Sequence, residues 1–205
     1  MAGGAQGVDA DMKNVRHVIG GLGNLMFKQA YIWAQARNGV IPDIYVQSAK
    51  YWDTYADEIK QMFGEDIVKN DKVSLHIRRG DYVDNAFYVD LWKTDYYKKA
   101  IAMFPNEQFI VFCRDNQDWE TDKADRQWCR DNLAPLLGDR FELPPKENTE
   151  TDDFNLMAGC KAHILANSSF SWWASFIGGG MTVAPKEWFA DGIQRTDLLD
   201  EWIKL

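Results

Sequence analysis

From residue 73 onward, short uninterrupted apolar runs alternate with longer mixed segments. The runs "KVSLHI" (72–77), "QFIVFC" (108–113), "HILAN" (163–167) and "MTVAP" (181–185) are rich in β-branched and aromatic residues and predict strands buried on both faces. "RFELP" (140–144) predicts a shorter one. Between them lie a helix opening at Thr94, a polar helix running to about Asn132, a helix in "DDFNLMAGC" (152–160) and one in "SFSWWASFIG" (169–178). Strictly alternating strands and helices predict a parallel sheet with helices on both faces, and ligands bind such sheets beyond the carboxyl ends of the strands. Upstream, "VRHVIG" (15–20) and "DIYVQS" (43–48) read as strands, "GNLMFKQAYIWAQARNG" (23–39) as a helix ending at Gly39, and the region near 51–63 as an amphipathic helix. The polar "GEDIVKNDK" (64–72) is the expected linker between a small lobe, 14–70, and a larger domain, 71–205.

Residues 1–13 are small, polar and aperiodic, and read as a disordered leader, with Met12 a candidate start; they have no apolar core of the signal-peptide kind. The charge-free stretch 164–185 is long enough to cross a bilayer. Asn167, several serines and three consecutive glycines instead divide it into strand, helix, turn and strand, and the chain is expected to be cytoplasmic with no integral membrane association. Hydrophobic residues make up 46% of the chain, enough for a substantial core, and three widely spaced cysteines without a ligand motif read as reduced thiols. A net charge of −8 argues against nucleic acid or an anionic membrane as the main partner.

That acidity makes the end of one strand conspicuous. "HIRRGDY" places Arg78 and Arg79 side by side after the apolar "VSL". Adjacent guanidiniums point to opposite sides, so one can face a ligand cleft while the other meets protein carboxylates; a salt-bridged structural pair is the competing account. A guanidinium grips phosphate in a bidentate way and keeps its charge at every relevant pH. Two further strand ends fall on the same edge. "GGLGN" (20–24) starts like a dinucleotide fingerprint, but Met26 stands in place of the third glycine and Asp43 begins a strand where the acidic residue should end one, which excludes a nicotinamide or flavin site. Its glycines, Gly21 and Gly23 among them, still permit close approach of backbone to a ligand. Asn167, Ser168 and Ser169 open the 169–178 helix, where a serine can serve as an ordinary N-cap or its first-turn amides can receive an anion. The helix itself carries Phe170, Trp172, Trp173, Phe176 and Ile177 on all sides and is expected in the core.

Taken in order, "GGLGN-MF", "HIRRGDY" and "NLMAGCKAHILANSSFSWWASFIGG" resemble bacterial α-1,2-fucosyltransferases of glycosyltransferase family 11. The resemblance implies a GT-B-like pair of Rossmann-type domains, here a donor domain with a reduced N-terminal α/β lobe. It implies a GDP-fucose donor, a glycan acceptor such as a galactoside, and inverting transfer with no required metal. By the same resemblance Arg78 holds the donor β-phosphate with Arg79 beside it, His76 orients the loop or touches the donor, and Asn167, Ser168 and Ser169 face the diphosphate. Gly21, Gly23 and Asn24 line the donor side, and Asp115 matches an acid near guanine, although Arg114 stands where a second acid is common. The sole Asp-x-Asp, Asp9 to Asp11, lies in the leader. For the proton of the attacking hydroxyl, Asp81 is the nearest carboxylate in the motif, with a partner role toward Arg78 or Arg79 equally open; His17 is the second choice. Two departures stand out: Leu25 replaces a usual glutamine, and the segment between "GGLGN" and "HIRRGDY" is much shorter than usual. The second function class is therefore a nucleotide-sugar-binding module that has lost transfer and acts as a partner or sensor. A kinase-type P-loop, GxxxxGK[ST], is absent from the sequence.

Overall fold

A computed structural model describes residues 22–37, 52–113, 119–193 and 195–205; the expected strands at 15–20 and 43–48, and with them Gly21, His17, Asp43, Arg114 and Asp115, lie outside these. Among the described residues six strands form one sheet: β1 (Val73–His76), β2 (Phe109–Phe112), β3 (Phe141–Glu142), β4 (Ala162–Ile164), β5 (Met181–Ala184) and β6 (Ile203–Lys204). Their order is β3-β2-β1-β4-β5-β6, and every pairing is parallel. This is the doubly wound order, whose switch point falls between β1 and β4. The parallel α/β sheet expected from the alternating pattern is what the structure contains.

Seven helices accompany it among the described residues: α1 (Leu22–Arg37), α2 (Ala56–Gly64), α3 (Tyr96–Ala102), α4 (Trp119–Asn132), the single turn α5 (Ala134–Leu137), α6 (Glu150–Gly159) and α7 (Ser169–Gly178). The sheet separates two cores. Val73, Leu75, Val111, Ile164 and Val183 pack against α3, α4 and α5. Ile110 and Phe112 turn the other way, toward α1, α2, α6 and α7. The period of two along each strand decides which core receives each side chain.

α7 forms as expected, with the bounds 169–178, and its residues 171–177 are all buried. Trp172 and Trp173 sit in an aromatic cluster: Phe27 of α1 lies 4.7 Å from Trp172, and Trp52 stacks on Trp173 at 5.1 Å. Burying such rings contributes on the order of 2–3 kcal/mol each, and the cluster fastens α1 to the sheet-borne α7. Gly178 lets α6 and α7 cross closely, since a Cβ there would stand 2.2 Å from the Ala158 carbonyl oxygen. α6 begins with a capping box, Thr149 and Asp152 exchanging side-chain and backbone bonds.

The structure departs from the sequence reading at three places. The helix expected to open at Thr94 starts at Tyr96, because a 3-10 turn at Leu91–Lys93 and the Thr94 side chain, which donates to the Leu91 carbonyl, occupy the approach. Strand β6 is additional: two residues at the sheet edge carry no periodicity, and its pairing to β5 is set by Leu205 and Lys186 backbone bonds across the register. The strand interiors also hold polar groups. Ser74 hydrogen-bonds His163 at 2.8 Å across β1 and β4, and His163 Nε2 meets the Gly179 carbonyl at 3.0 Å. Burial lowers the His163 pKa to about 4, so the ring is neutral: Nε2 donates to the carbonyl and Nδ1 accepts from the serine.

Among the described residues no helix is long and apolar enough to cross a membrane. The charge-free stretch 164–185 folds as the end of β4, α7, a glycine turn and β5.

Candidate active site

The carboxyl ends of β1 and β4 meet at the switch point, and three expected segments converge there. β4 leads into Asn167 and then Ser168, which caps α7 by accepting from the Phe170 amide at 3.4 Å. The Ser169 hydroxyl donates to Asn24 Oδ1 at 3.0 Å, bringing the start of α1 onto this turn. Gly23 makes that possible, since a Cβ there would lie 2.3 Å from the Ser169 backbone. The close approach this glycine allows is to the first turn of α7. The α1 N-terminus has an anion of its own: the Leu22 amide donates to Glu150 Oε1 at 3.2 Å.

After β1 the two arginines part, as adjacent side chains should. Arg79 turns to α4, where its Nε donates to Asp125 Oδ1 at 3.1 Å and its guanidinium lies 4.1 Å over the Trp128 ring. Asp125 Oδ2 also accepts from the Gly80 amide at 3.0 Å, and Gly80 takes a left-handed φ of 49° that suits it to this bend. Asp125 thus holds both the second arginine and the turn that follows it. Arg78 goes the other way. Half-buried, its guanidinium lies 5.1 Å over the Tyr82 ring, and the Tyr82 hydroxyl donates to the Asn167 carbonyl at 3.2 Å. One tyrosine therefore connects Arg78 to the serine turn.

Asn167 is buried and its Nδ2 donates to the carbonyls of Val89 and Trp188, at 3.0 and 3.1 Å. It clamps two segments beyond the sheet, which also join through a Tyr88–Phe189 bridge and a Phe87–Phe189 ring contact at 5.2 Å. Its amide hydrogens are committed to the protein, as is the Ser169 hydroxyl hydrogen; the Ser168 hydroxyl hydrogen and the first-turn amides that the cap does not take are the groups of this segment left to a diphosphate.

His76 ends β1 and faces the same side as Arg78, 5.9 Å from the Phe170 ring. Burial, and secondarily the Arg78 charge, lower its pKa to about 3. It is a neutral imidazole whose Nδ1 has no hydrogen-bond partner. The Asp81 backbone lies in a 3-10 turn, Gly80–Tyr82, and its side chain is outside the described residues. All three cysteines are buried and unpaired. Among the described residues no group of three or more His, Cys, Asp and Glu side chains is arranged to hold a metal ion.

Asp125, Tyr82 and Glu150 were not singled out in the sequence. Asp125 and Trp128 stand three apart on one helix face, a spacing that marks a possible guanidinium seat, but which arginine fills it depends on tertiary packing.

The model of glycosyl transferase family 11 matches residues 44–205. The chain belongs to this family. It is 30% identical over 197 residues to the O-antigen biosynthesis glycosyltransferase WbnK of Escherichia coli, covering 83% of this chain and 62% of that protein. It is 30% identical over 166 residues to an alpha-1,2-colitosyltransferase of Escherichia coli, with 70% and 54% covered. Human galactoside alpha-(1,2)-fucosyltransferase 1 is 30% identical over 118 residues, 54% of this chain and 30% of that protein. The chain thus spans less than two thirds of the length of these relatives. No solved structure matches it.

Proposed function

We propose that this family 11 chain transfers fucose from GDP-fucose to a hydroxyl of a glycan acceptor, a galactoside in α-1,2 linkage, with inversion and without a metal. The observation that carries the reading is the neighbourhood of Arg78 and the serine-capped start of α7, joined through Tyr82 and Asn167. Relatives named colitosyltransferase and fucosyltransferase support a deoxysugar donor.

In this reading the bond from the sugar C1 to the β-phosphate oxygen breaks, and GDP leaves with the electron pair. The acceptor oxygen forms its bond to C1 from the opposite face, and its proton passes to a base, for which Asp81 is the candidate. Arg78 supplies a fixed positive charge to the departing diphosphate, and the first-turn amides of α7 add the positive end of a helix. His76, kept neutral, offers Nδ1 to a donor hydroxyl or phosphate without adding charge. Arg79, locked to Asp125 and Trp128, sets the angle at which Arg78 projects.

The test is a transfer assay with GDP-fucose and a panel of galactosides, with and without EDTA, following GDP release and the anomeric configuration of the product. Inverted product formed in EDTA supports the proposal. GDP binding without release on any acceptor favours a donor-binding module, and release that requires a divalent cation removes the metal-free assignment.

A further inference from the structure

Among the described residues four buried side-chain polar atoms lack a hydrogen-bond partner: His76 Nδ1, Arg126 Nε, and the indole nitrogens of Trp173 and Trp188. Buried orphans are rare in native proteins and call for an explanation. Trp173 belongs to the α7 core, but the other three sit toward the carboxyl ends of the strands. His76 is part of the diphosphate site above. Arg126 is not.

Arg126 is 6% exposed, on the turn of α4 that follows Asp125. Its Nη2 donates to the Pro144 carbonyl at 2.7 Å, just past β3, and its charge is felt at Cys113, just past β2. It pairs with no carboxylate among the described residues; the adjacent Asp125 is spent on Arg79 and Gly80. A buried guanidinium with one carbonyl contact and an idle Nε is expensive to keep as architecture. The ends of β2 and β3 lie about two strand spacings, roughly 10 Å, from the β1–β4 switch point. A ribose and the near edge of a purine bridge that span when the diphosphate sits at Arg78.

We infer that Arg126 recognises the base of the nucleotide donor, its guanidinium fork donating to the O6 and N7 acceptors of guanine. The proposal rests on the diphosphate site described above. It follows from the fit of an arginine fork to those two acceptors, which adenine, with an amino group at position 6, cannot offer. It also gives the chain a guanine contact independent of the position held by Arg114.

Calorimetric titration of the wild-type protein with GDP, IDP, 7-deaza-GDP, ADP and inorganic pyrophosphate requires no substitution. GDP and IDP, which share O6 and N7, are expected to bind within a few-fold of each other, and ADP about 10-fold or more weaker; 7-deaza-GDP, missing N7, falls between. In Arg126→Met the GDP affinity drops to the ADP level, pyrophosphate affinity is unchanged, and the melting temperature does not fall, because an uncompensated buried charge has been removed. Arg126→Lys, a point charge without the fork, keeps part of the affinity and loses the N7 discrimination. Equal wild-type affinity for GDP and ADP, with pyrophosphate still bound, overturns the base assignment and leaves the diphosphate site standing. Binding of neither GDP nor pyrophosphate overturns both. An Arg126→Met protein that melts lower yet keeps its GDP preference reduces the residue to a structural prop.

Discussion

The two edges of the sheet treat their polar groups in opposite ways. At the amino-terminal edge nearly everything is matched. Lys69 Nζ donates to the carbonyls that end α6 and α7, those of Ala158 and Gly178, where a cation also suits the negative end of each helix. Lys72 pairs with Glu142, Asn70 Oδ1 accepts from the Lys72 amide, and the Asn70 amide donates to the Gly159 carbonyl. Gly159 and Gly180 let backbones touch there without side chains between them. At the carboxyl edge, among the described residues, a buried imidazole, a buried guanidinium and an indole are left with idle polar atoms. One edge is finished by the protein itself; in the proposed function the donor completes the other. Consistency between local chemistry and fold breaks where function is placed.

That contrast is open to attack from both edges. The largest expected effect is on turnover: Arg78→Ala should cost about 10²–10³-fold in kcat, with a melting temperature close to that of the parent, since the side chain is only half-buried at the carboxyl edge of the sheet. Equal losses in stability and turnover would move Arg78 to the finished edge. Next comes Gly178→Val, which drives a branched side chain into the Ala158 carbonyl; overpacking of this kind costs about 1–3 kcal/mol, visible as a lower denaturant midpoint with GDP affinity retained. Lys69→Met should cost about 1 kcal/mol, again without touching affinity.

A pH dependence completes the series. His76 and His163 titrate in the folded protein at about 3 and about 4, against an ordinary 6.5. Between those values the unfolded chain binds more protons, so stability rises with pH up to about 6.5 and then levels off. His163→Gln should flatten part of that slope in a series of denaturation curves. A slope of the opposite sign would mean that the histidines are charged in the folded state.

What was legible in the sequence follows from range. α7 could be bounded because its cap, its aromatic run and its terminal glycines are contiguous, and β1, β2, β4 and β5 could be placed because a strand buried on both faces is a mostly apolar, charge-free run. Opposite directions for Arg78 and Arg79 follow from backbone geometry alone. Their partners do not: Asp125 is 46 residues from Arg79, and Tyr82 reaches Asn167 across 85. The two carbonyls that the Asn167 amide meets are out of reach of a sequence reading for the same reason. A residue between a strand and a capped helix reads as a ligand group, and only the folded chain shows its amide clamped to Val89 and Trp188. Gly23 reads as a place of close approach, and which backbone comes close, that of α7, is set by the folded chain. β6, two residues long, has no local signature at all.

The claim beneath all of this is that Arg78 and the serine-led end of α7 together hold a diphosphate without a metal. Calorimetric titration of GDP in EDTA, into the parent protein and into Arg78→Ala, tests it most directly. The account predicts binding in the parent, at least about 10-fold weaker binding in the variant, and matching melting temperatures. Unaltered affinity in the variant, or no binding in the parent until a divalent cation is added, would contradict it.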